Sequence, residues 1–463
     1  MKTTATHPRR RVRPRFRGAP MLAIWIVFAV SGCDSLLDVT NPNNVVGEDL
    51  LDPTAATAVA NGALYTVQEG YGYMLAPYST VSDELHWIGS RDAWFELELG
   101  TPGNPANEFV DGAFPFFAQG RWMADEAIKI LVQHQTDGVL ADETDLARAY
   151  LFAAMSYVNI ADWMDDFAFS DRRESGPPIG DDNMGGLYTT AIGYLGSGLG
   201  IVGGSGSDLE RSMLAMRARA RHAGAVWNMI GPSGASFPVA NPLVSDAAAV
   251  ADATAALSVD NSDWDFVFDY GASTVWDDAG WQVNARLELR FSDDYIVAAS
   301  DDNTRDLTAP DRGVRLQDPI DAVGDPRLDV IMTAFEGGER YADLTILSAR
   351  EMHLILAEDA LANGNVTGAN SFEQWINSVR AFGGMTPWVS GGAGMPAAQD
   401  LLIHERRVNL FLQGRRLNDM YRFGIQSSMW EASSSAVTNP GSFLPITKIE
   451  LDANCHLNPD FEC

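Results

Sequence analysis

Aromatic side chains next to acids or amides are concentrated between residues 264 and 282. Each of three tryptophans there has a carboxylate or an amide as its sequence neighbour, and a tyrosine lies between them. A flat apolar ring stacks well on the C–H face of a sugar, while carboxylates and amides at its edge bind hydroxyls. The candidate residues for noncovalent ligand binding of this kind are Trp264, Tyr270, Trp276, Asp277, Trp281 and Gln282.

A second group of the same kind lies nearer the N-terminus and contains Trp87, Asp92 and Trp94. For any single tryptophan the alternative role is packing in the core or beneath a loop. Other tryptophans follow helical periodicities and are predicted to be core residues: Trp163, Trp227 and Trp375.

No motif for a metal ion, a phosphate or covalent catalysis accompanies these groups. His404 begins HERRV rather than HExxH, and no glycine-rich phosphate loop follows a strand. Two acid-rich loops, residues 180–186 and 300–306, offer carboxylates to Ca²⁺ but lack EF-hand spacing, so solvated loops are the better interpretation. We therefore predict no metal and no cofactor.

The charge balance excludes some classes of partner. The 463 residues contain 32 Lys and Arg against 62 Asp and Glu, a formal net charge of −30. Nucleic-acid affinity depends on basic side chains that neutralise phosphates, so a nucleic-acid partner is excluded. The same field repels an anionic bilayer and favours a neutral or cationic ligand.

The N-terminus has the pattern of a targeting segment. Residues 1–20 are basic, residues 21–30 are an apolar run too short to span a bilayer, and Val30-Ser31-Gly32-Cys33 looks like a bacterial lipobox. We predict that residues 1–32 are removed and that acyl chains on Cys33 hold the protein at a membrane. The alternative is a soluble secreted protein with an unmodified cysteine.

Two further cysteines, Cys455 and Cys463, lie in the C-terminal tail. In an exported protein they are expected to form a disulfide that fixes the C-terminus. Two free or metal-bound thiols are the alternative.

Helical periodicity extends over most of the chain. Within residues 145–163, Ala147, Leu151, Ala154 and Val158 recur on one helix face. Residues 352–361 are apolar on several faces, and Ser371 and Gln374 suggest a capping box for the next helix. Such antiparallel pairs resemble degenerate tetratricopeptide hairpins.

Residues 402–424, LIHERRVNLFLQGRRLNDMYRFG, resemble the C-terminal signature of the SusD/RagB family of nutrient-uptake lipoproteins. Glu405-Arg406 and Gly414 match its pattern in register, while Asn409 and Gln413 replace two expected glutamates. Further resemblance lies in CDSLLDVTNPN after the anchor, TVSDELHW, REMHLILAEDALANGN with INSVRAFGG, and FLPITKIELDANCHLNP.

The resemblance implies a mostly α-helical SusD-like fold with tetratricopeptide-like helix pairs. Residues 33–463 would form one domain: an N-terminal helical part to residue 240, an irregular, partly β ligand-facing excursion over 241–345, and C-terminal helix pairs over 346–463. It also implies an outward-facing outer-membrane lipoprotein, not an enzyme, that passes an oligosaccharide or other nutrient to a SusC-type TonB-dependent β-barrel.

Two other functions are compatible with the residues alone. Abundant Asp and Glu could supply the paired carboxylates of a surface glycoside hydrolase, and the helical repeats could serve a protein adaptor. We interpret Glu405-Arg406 not as a catalytic pair but as part of a partly buried ion-pair network with Arg415, Arg416 and Asp419.

Overall fold

Helices account for most of the computed structural model, which describes residues 49–171, 173–231, 235–297, 313–337, 340–460 and 462–463. Those of the N-terminal half are α1 (Ala56–Ser82), α2 (Asp92–Glu98), α3 (Glu108–Thr136), α4 (Glu143–Trp163), α5 (Gly186–Val202) and α6 (Asp208–Ile230). They are followed by α7 (Ala247–Val259), α8 (Asp278–Gly280), which continues as a π-turn over Trp281–Arg286, and α9 (Pro326–Phe335). The C-terminal helices are α10 (Ala349–Ala362), α11 (Phe372–Phe382), α12 (Ala398–Asn409), α13 (Arg416–Phe423), α14 (Ser435–Thr438) and α15 (Lys448–Ala453). Short 3₁₀ turns cover Asp49–Leu51, Pro53–Ala55 and Asp181–Asn183.

Consecutive helices from α3 to α7 pack on one another, and α1 lies against both α3 and α4. Two glycines bring α1 and α3 into backbone contact: a Cβ on Gly70 would lie 2.7 Å from the Phe116 carbonyl oxygen, and one on Gly120 would lie 2.8 Å from that of Thr66. In α4, the predicted face containing Ala147, Leu151, Ala154 and Val158 is buried. This packing confirms the predicted mostly α-helical fold.

The C-terminal helix pair α10 and α11 has its own apolar core. Leu354, Phe372, Ile376 and Leu402 are buried together between α10, α11 and α12. The Ser371 hydroxyl accepts a hydrogen bond from the Gln374 amide and caps α11 as the sequence predicts, but the Gln374 side chain accepts from Asn370 instead of Ser371.

The excursion over residues 241–345 is more ordered than the sequence indicates. Two helices, α7 and α9, lie within it, although we predicted an irregular segment; Asp246 and Asp325 cap them, and α7 is rich in alanine. The described strands form three antiparallel pairs: β1 (Leu85–Trp87) with β3 (Leu289–Phe291), β2 (Asp265–Phe268) with β6 (Leu344–Ser348), and β4 (Ile296–Val297) with β5 (Gly313–Val314). Through β1 and β6, the excursion is joined to the helical parts on both sides.

Residues 405–422 form buried ion pairs, but their partners differ from those predicted. Glu405 binds Arg327 and Arg380, which lie on other elements, and not the arginines that follow it. Only Arg406 keeps the predicted partner, with its Nε 2.8 Å from Asp419 Oδ2. The other two arginines bind acids of the N-terminal helices, Arg415 with Asp162 and Arg416 with Asp83. The network is almost fully buried because these residues join distant elements, a pairing that local sequence does not reveal.

Residues 52–463 form one compact unit. Cys455 and Cys463 are joined by a disulfide with their Cα atoms 5.1 Å apart. Among the described helices, none is both long enough and apolar enough to cross a membrane. The predicted anchor Cys33 and the loop over residues 300–306 lie outside the described residues.

Candidate functional site

Three aromatic rings from the excursion form a layered surface that we call the aromatic platform: Trp276, Tyr341 and Trp281. The Tyr341 ring lies 5.9 Å from that of Trp276 and 6.0 Å from that of Trp281, with interplanar angles of 9° and 21°. Trp276 is 51% exposed, and Trp281 is half-buried. A solvent-exposed indole held nearly parallel to its neighbour provides an apolar face on which a sugar ring can stack.

Close packing on α1 holds the segment that carries the platform. A Cβ on Gly72 would lie 2.9 Å from both the Tyr270 ring and the Asp277 side chain, so only glycine allows this approach without displacement. The Tyr270 hydroxyl donates to the backbone oxygen of Gln68 on α1 at 2.7 Å. The structure therefore places Tyr270 as a buried support for the platform. Its role in ligand binding stays a prediction.

Asp277 has the same supporting role. Its carboxylate accepts hydrogen bonds from the backbone amides of Gly280 and Ala342, and its side chain is almost fully buried. Burial raises the pKa of Asp277 to about 7, although these amide donors oppose the shift. The carboxylate thus ties the Trp276 turn to Ala342, the residue after Tyr341. The predicted ligand-binding role of Asp277 stays a prediction.

Polar groups beside the platform are Asp278 and Gln282. The Gln282 amide donates to Asp278 Oδ1 at 2.9 Å, while Gln282 Oε1 accepts no hydrogen bond from any described residue. Burial raises the pKa of Asp278 to about 6. Asp278 is partly exposed and offers a hydrogen-bonding group beside the rings, whereas Gln282 is only 5% exposed and holds Asp278 in place.

A second stack continues the aromatic surface onto the helices. Tyr73 of α1 and Phe116 of α3 lie face to face, with ring centroids 4.2 Å apart and planes 7° apart. Burial and the negative charge of Asp278 raise the pKa of Tyr73 to about 12. On the other side, the Arg340 guanidinium lies 5.6 Å from the Trp281 ring centroid.

A cavity of about 840 Å³ adjoins the platform at Tyr341, which lines both. Its walls come from β2, α9, β6 and the segment after α12. The apolar lining includes Ile331, Phe335 and Phe411, and the polar lining includes Gln413. A volume of this size accommodates a small organic ligand.

The remaining predicted residues do not reach the platform. Trp264 is only 6% exposed; its Nε1 donates to the Asp260 carbonyl oxygen, and its ring lies beneath the Arg211 guanidinium. Trp264 borders the cavity, but with so little exposed surface it is not a stacking platform. Its flanking acids resemble those of Trp276, so sequence neighbours do not distinguish the two.

The N-terminal group is separate and mostly structural. Trp94 has no exposed surface, and its ring stacks on that of Phe109 with the ring centroids 3.7 Å apart, which is a packing role; its predicted ligand-binding role stays a prediction. Trp87 is half-buried on β1 with its ring against Phe95, and Asp92 is exposed at the start of α2. β1 contacts the excursion by pairing with β3, and this contact does not involve the platform residues.

Two clusters of potential metal ligands are otherwise engaged. Asp318, Asp325 and His404 lie together, but Arg327 and Arg380 form ion pairs with the two acids and would repel a cation. In the tail, His456 lies next to two cysteines that form the disulfide. Neither cluster of the described chain has the free ligand set of a metal centre.

Sequence reasoning missed four residues of this surface: Tyr73, Phe116, Arg340 and Tyr341. Tyr73 and Phe116 lie on predicted helices, where periodicity suggested only packing roles. Tyr341 lies in the excursion that we predicted to face the ligand, but no acid or amide is its immediate neighbour. The exposed aromatic character of that excursion was the one available signal.

No family model and no curated protein sequence matches this chain. Solved structures do match over most of its length. A SusD superfamily protein from Parabacteroides distasonis aligns with a TM-score of 0.60 at 10% identity, covering 88% of this chain and 98% of that one. One from Bacteroides thetaiotaomicron aligns with a TM-score of 0.58 at 12% identity, covering 87% and 98%.

A third similar structure is described as a SusD-like carbohydrate-binding protein from Bacteroides vulgatus. It aligns with a TM-score of 0.54 at 13% identity and covers 89% of this chain and 98% of its own. These alignments run over nearly whole chains, so the fold is that of the SusD superfamily. They confirm the fold expected from the motif over residues 402–424.

Proposed function

We propose that this protein binds a glycan on the aromatic platform. The exposed, nearly parallel stack of Trp276 on Tyr341 is the observation that carries the proposal. Apolar C–H faces recur along a chain of sugars and can stack on these rings, while Asp278, held by Gln282, offers a hydrogen-bonding group at the edge. The SusD-like carbohydrate-binding protein with a similar fold supports the same ligand class.

The protein acts as a binding component and not as an enzyme in this proposal. Of the two adjacent acids at the platform, Asp277 is buried and bonded to two backbone amides. A glycosidase needs two carboxylates that both reach the scissile bond. Incubation of the purified protein with the bound glycan should release no reducing ends; turnover would favour the hydrolase alternative.

Direct binding measurements test the platform. A glycan array followed by calorimetry should identify an oligosaccharide, and Trp276→Ala should lower its affinity about tenfold or more, because one stacking face is lost. Phe95→Ala is the matched control, since Phe95 is also an exposed aromatic residue but packs on Trp87. Unchanged affinity in Trp276→Ala, with intact helical content, would refute the platform as the site.

We further propose that the protein is held at the outer membrane through lipid on Cys33, faces outward, and passes its ligand to a SusC-type TonB-dependent barrel. The lipobox and the SusD-superfamily fold support this location and partner. Pull-down in mild detergent should recover a large barrel protein in near-equal amount. Cys33→Ala should release the protein from membranes, and retention of that variant would contradict lipid anchoring.

A further inference from the structure

Two exposed arginines lie beside the platform, and no described acid forms an ion pair with either of them. Most described arginines do form such pairs, as expected in a chain with a net charge of −30. The two exceptions, Arg340 and Arg286, both lie next to Trp281. The Arg340 guanidinium lies over the Trp281 ring, and Arg286 ends the π-turn that Trp281 begins.

Contact with the indole ring leaves the N–H groups of Arg340 for other partners. Its Cζ lies 5.6 Å from the Trp281 ring centroid, and no described residue accepts a hydrogen bond from its guanidinium. A planar guanidinium can stack on an aromatic face and still present several N–H donors at its edge. That edge matches the two oxygens of a carboxylate through parallel hydrogen bonds.

Burial weakens the negative charge of the two acids in the segment that carries Trp276. It raises the pKa of Asp277 to about 7 and that of Asp278 to about 6, although the Gln282 hydrogen bond and the Arg286 charge oppose the second shift. At pH 6, Asp277 is therefore mostly protonated and Asp278 is about half ionised. The two guanidinium groups keep their full charge at this pH.

Other exposed acids of the excursion border the cavity and not the two tryptophans. Among the residues that line the cavity are Asp265, Asp269 and Asp343, whereas neither tryptophan of the platform and neither of the two arginines belongs to that lining. Salt limits the reach of an exposed charge to about 10 Å, so the field at a binding site depends on its nearest charges. The net charge of the chain therefore does not exclude an anionic group beside Trp281.

We propose that the platform selects acidic glycans, with one sugar unit stacked on Trp276 and the carboxylate of a uronic acid unit bound by Arg340. Tyr341 lies between the two tryptophans, so the exposed stacking face and the guanidinium are at opposite ends of the platform. The ligand must therefore be an oligosaccharide long enough to reach both. Its saccharide nature rests on the proposed function, whereas the carboxylate is deduced from the arginines.

Matched pairs of acidic and neutral tetrasaccharides test this selectivity. The probes are tetramers of galacturonic, glucuronic and mannuronic acid, each compared with its methyl ester, which keeps the sugar rings and removes the charge. Calorimetry at pH 6 and low salt measures both affinities. We expect at least one acid to bind about tenfold more tightly than its ester, and this ratio should fall at high salt because exposed charges are screened.

Arginine variants locate the selectivity. Arg340→Gln should lower the ratio of acid to ester affinity about fivefold, and Arg286→Gln/Arg340→Gln should bring the ratio close to one. Arg173→Gln is the matched control, because Arg173 is also exposed and forms no ion pair with a described acid, but lies in the loop between α4 and α5. It changes the net charge equally and should keep the wild-type ratio.

Equal affinities for acid and ester in all three pairs would overturn the inference, as would an unchanged ratio in the double arginine variant. Trp276→Ala tests the proposed function separately, because it should weaken the acid and the ester alike. Esters and acids that bind equally and lose affinity in Trp276→Ala would refute only the acidic selectivity. Acid binding that depends on the arginines but not on Trp276 would refute the proposed function, since stacking would not contribute.

Discussion

Two buried carboxylates in this protein, Glu84 and Asp419, have pKa values shifted in opposite directions. Burial by itself raises the pKa of an acid, as for Glu84, where it reaches about 7 despite hydrogen bonds from the Leu412 amide and the Ser79 hydroxyl. Asp419 is just as buried, yet Arg406 and Arg422 outweigh the desolvation and hold its pKa at about 2. The fold therefore contains acids that favour opposite protonation states at neutral pH.

Glu84→Gln should reduce the loss of stability between pH 5 and pH 8. The raised pKa means that folded Glu84 keeps its proton between about pH 4.5 and 7, while the unfolded chain has lost it. Its contribution to stability is present below pH 4.5 and is lost as the pH rises to 7, by at most about 3 kcal/mol. Glutamine does not titrate, so the variant lacks this pH dependence of the free energy of unfolding.

Urea denaturation of both proteins at pH 5 and pH 8 measures the difference. All other titrating groups are the same in the wild type and in Glu84→Gln. A difference between the two proteins in how the free energy of unfolding changes with pH is therefore due to Glu84. Asp92→Asn, an exposed acid, serves as the control and should retain the wild-type slope. Equal slopes for wild type and Glu84→Gln would show that Glu84 is ionised in the folded protein.

At the scale of elements, a single helix determines where the platform lies. Tyr270 and Asp277 pack directly on α1 at Gly72, and the chain returns at Ala342 against Gly280, where a Cβ would lie 2.6 Å from the Ala342 amide nitrogen. The platform rings come from residues 65 positions apart, Trp276 and Tyr341, and these two contacts bring them together. Glycine at positions 72 and 280 thus allows the close packing that brings the rings of Trp276 and Tyr341 together.

Gly72→Ala should therefore displace the platform, whereas Gly62→Ala on the same helix should not. The new methyl group at position 72 would meet Asp277 and Tyr270 at 2.9 Å, and overpacking of this kind costs about 1–3 kcal/mol. At position 62 the nearest atom is Met123 Cε at 3.9 Å, so alanine should stabilise α1 by about 0.5–1 kcal/mol.

Chemical denaturation and glycan calorimetry of Gly72→Ala and Gly62→Ala measure the effects on stability and on glycan affinity separately. We expect lower stability and several-fold weaker glycan binding only for Gly72→Ala. If both variants have wild-type glycan affinity, the contact at Gly72 does not position the platform.

Local sequence patterns predicted elements better than they predicted the site. Periodicity located α3 to α6 and the capped start of α11, because each depends on neighbours within one or two turns. The platform depends on contacts between residues far apart in sequence. Trp264 and Trp276 both have acidic neighbours, yet the first packs beneath Arg211 and the second is exposed. Tertiary packing makes that distinction, so the sequence could indicate the region but not the residues.

At the scale of the whole molecule, buried arginines connect the N-terminal helices to the C-terminal ones. Arg219 of α6 binds Glu351 of α10 through two hydrogen-bonded nitrogens, at 2.6 and 2.8 Å. Arg416 of α13 binds Asp83 at the end of α1 with similar geometry. Charged pairs of this kind give little net stability over apolar packing, but they impose one partner for each element.

Arg219→Leu should lower the free energy of unfolding by about 3–5 kcal/mol, because it leaves Glu351 charged and buried without its main partner. Burial would then raise the pKa of Glu351, which Arg219 now keeps below its usual range, so the variant should lose less stability at low pH than at neutral pH. The double variant Arg219→Leu/Glu351→Leu removes both charges and should recover most of the lost stability.

Chemical denaturation of the wild type, the single variant and the double variant at pH 5 and pH 7.5 measures these differences in the free energy of unfolding. If the single variant costs less than about 1 kcal/mol, or if the double variant is no more stable than the single one, the pair does not link the two halves. Recovery in the double variant would show that the link enforces specific pairing of α6 with α10 more than it adds stability.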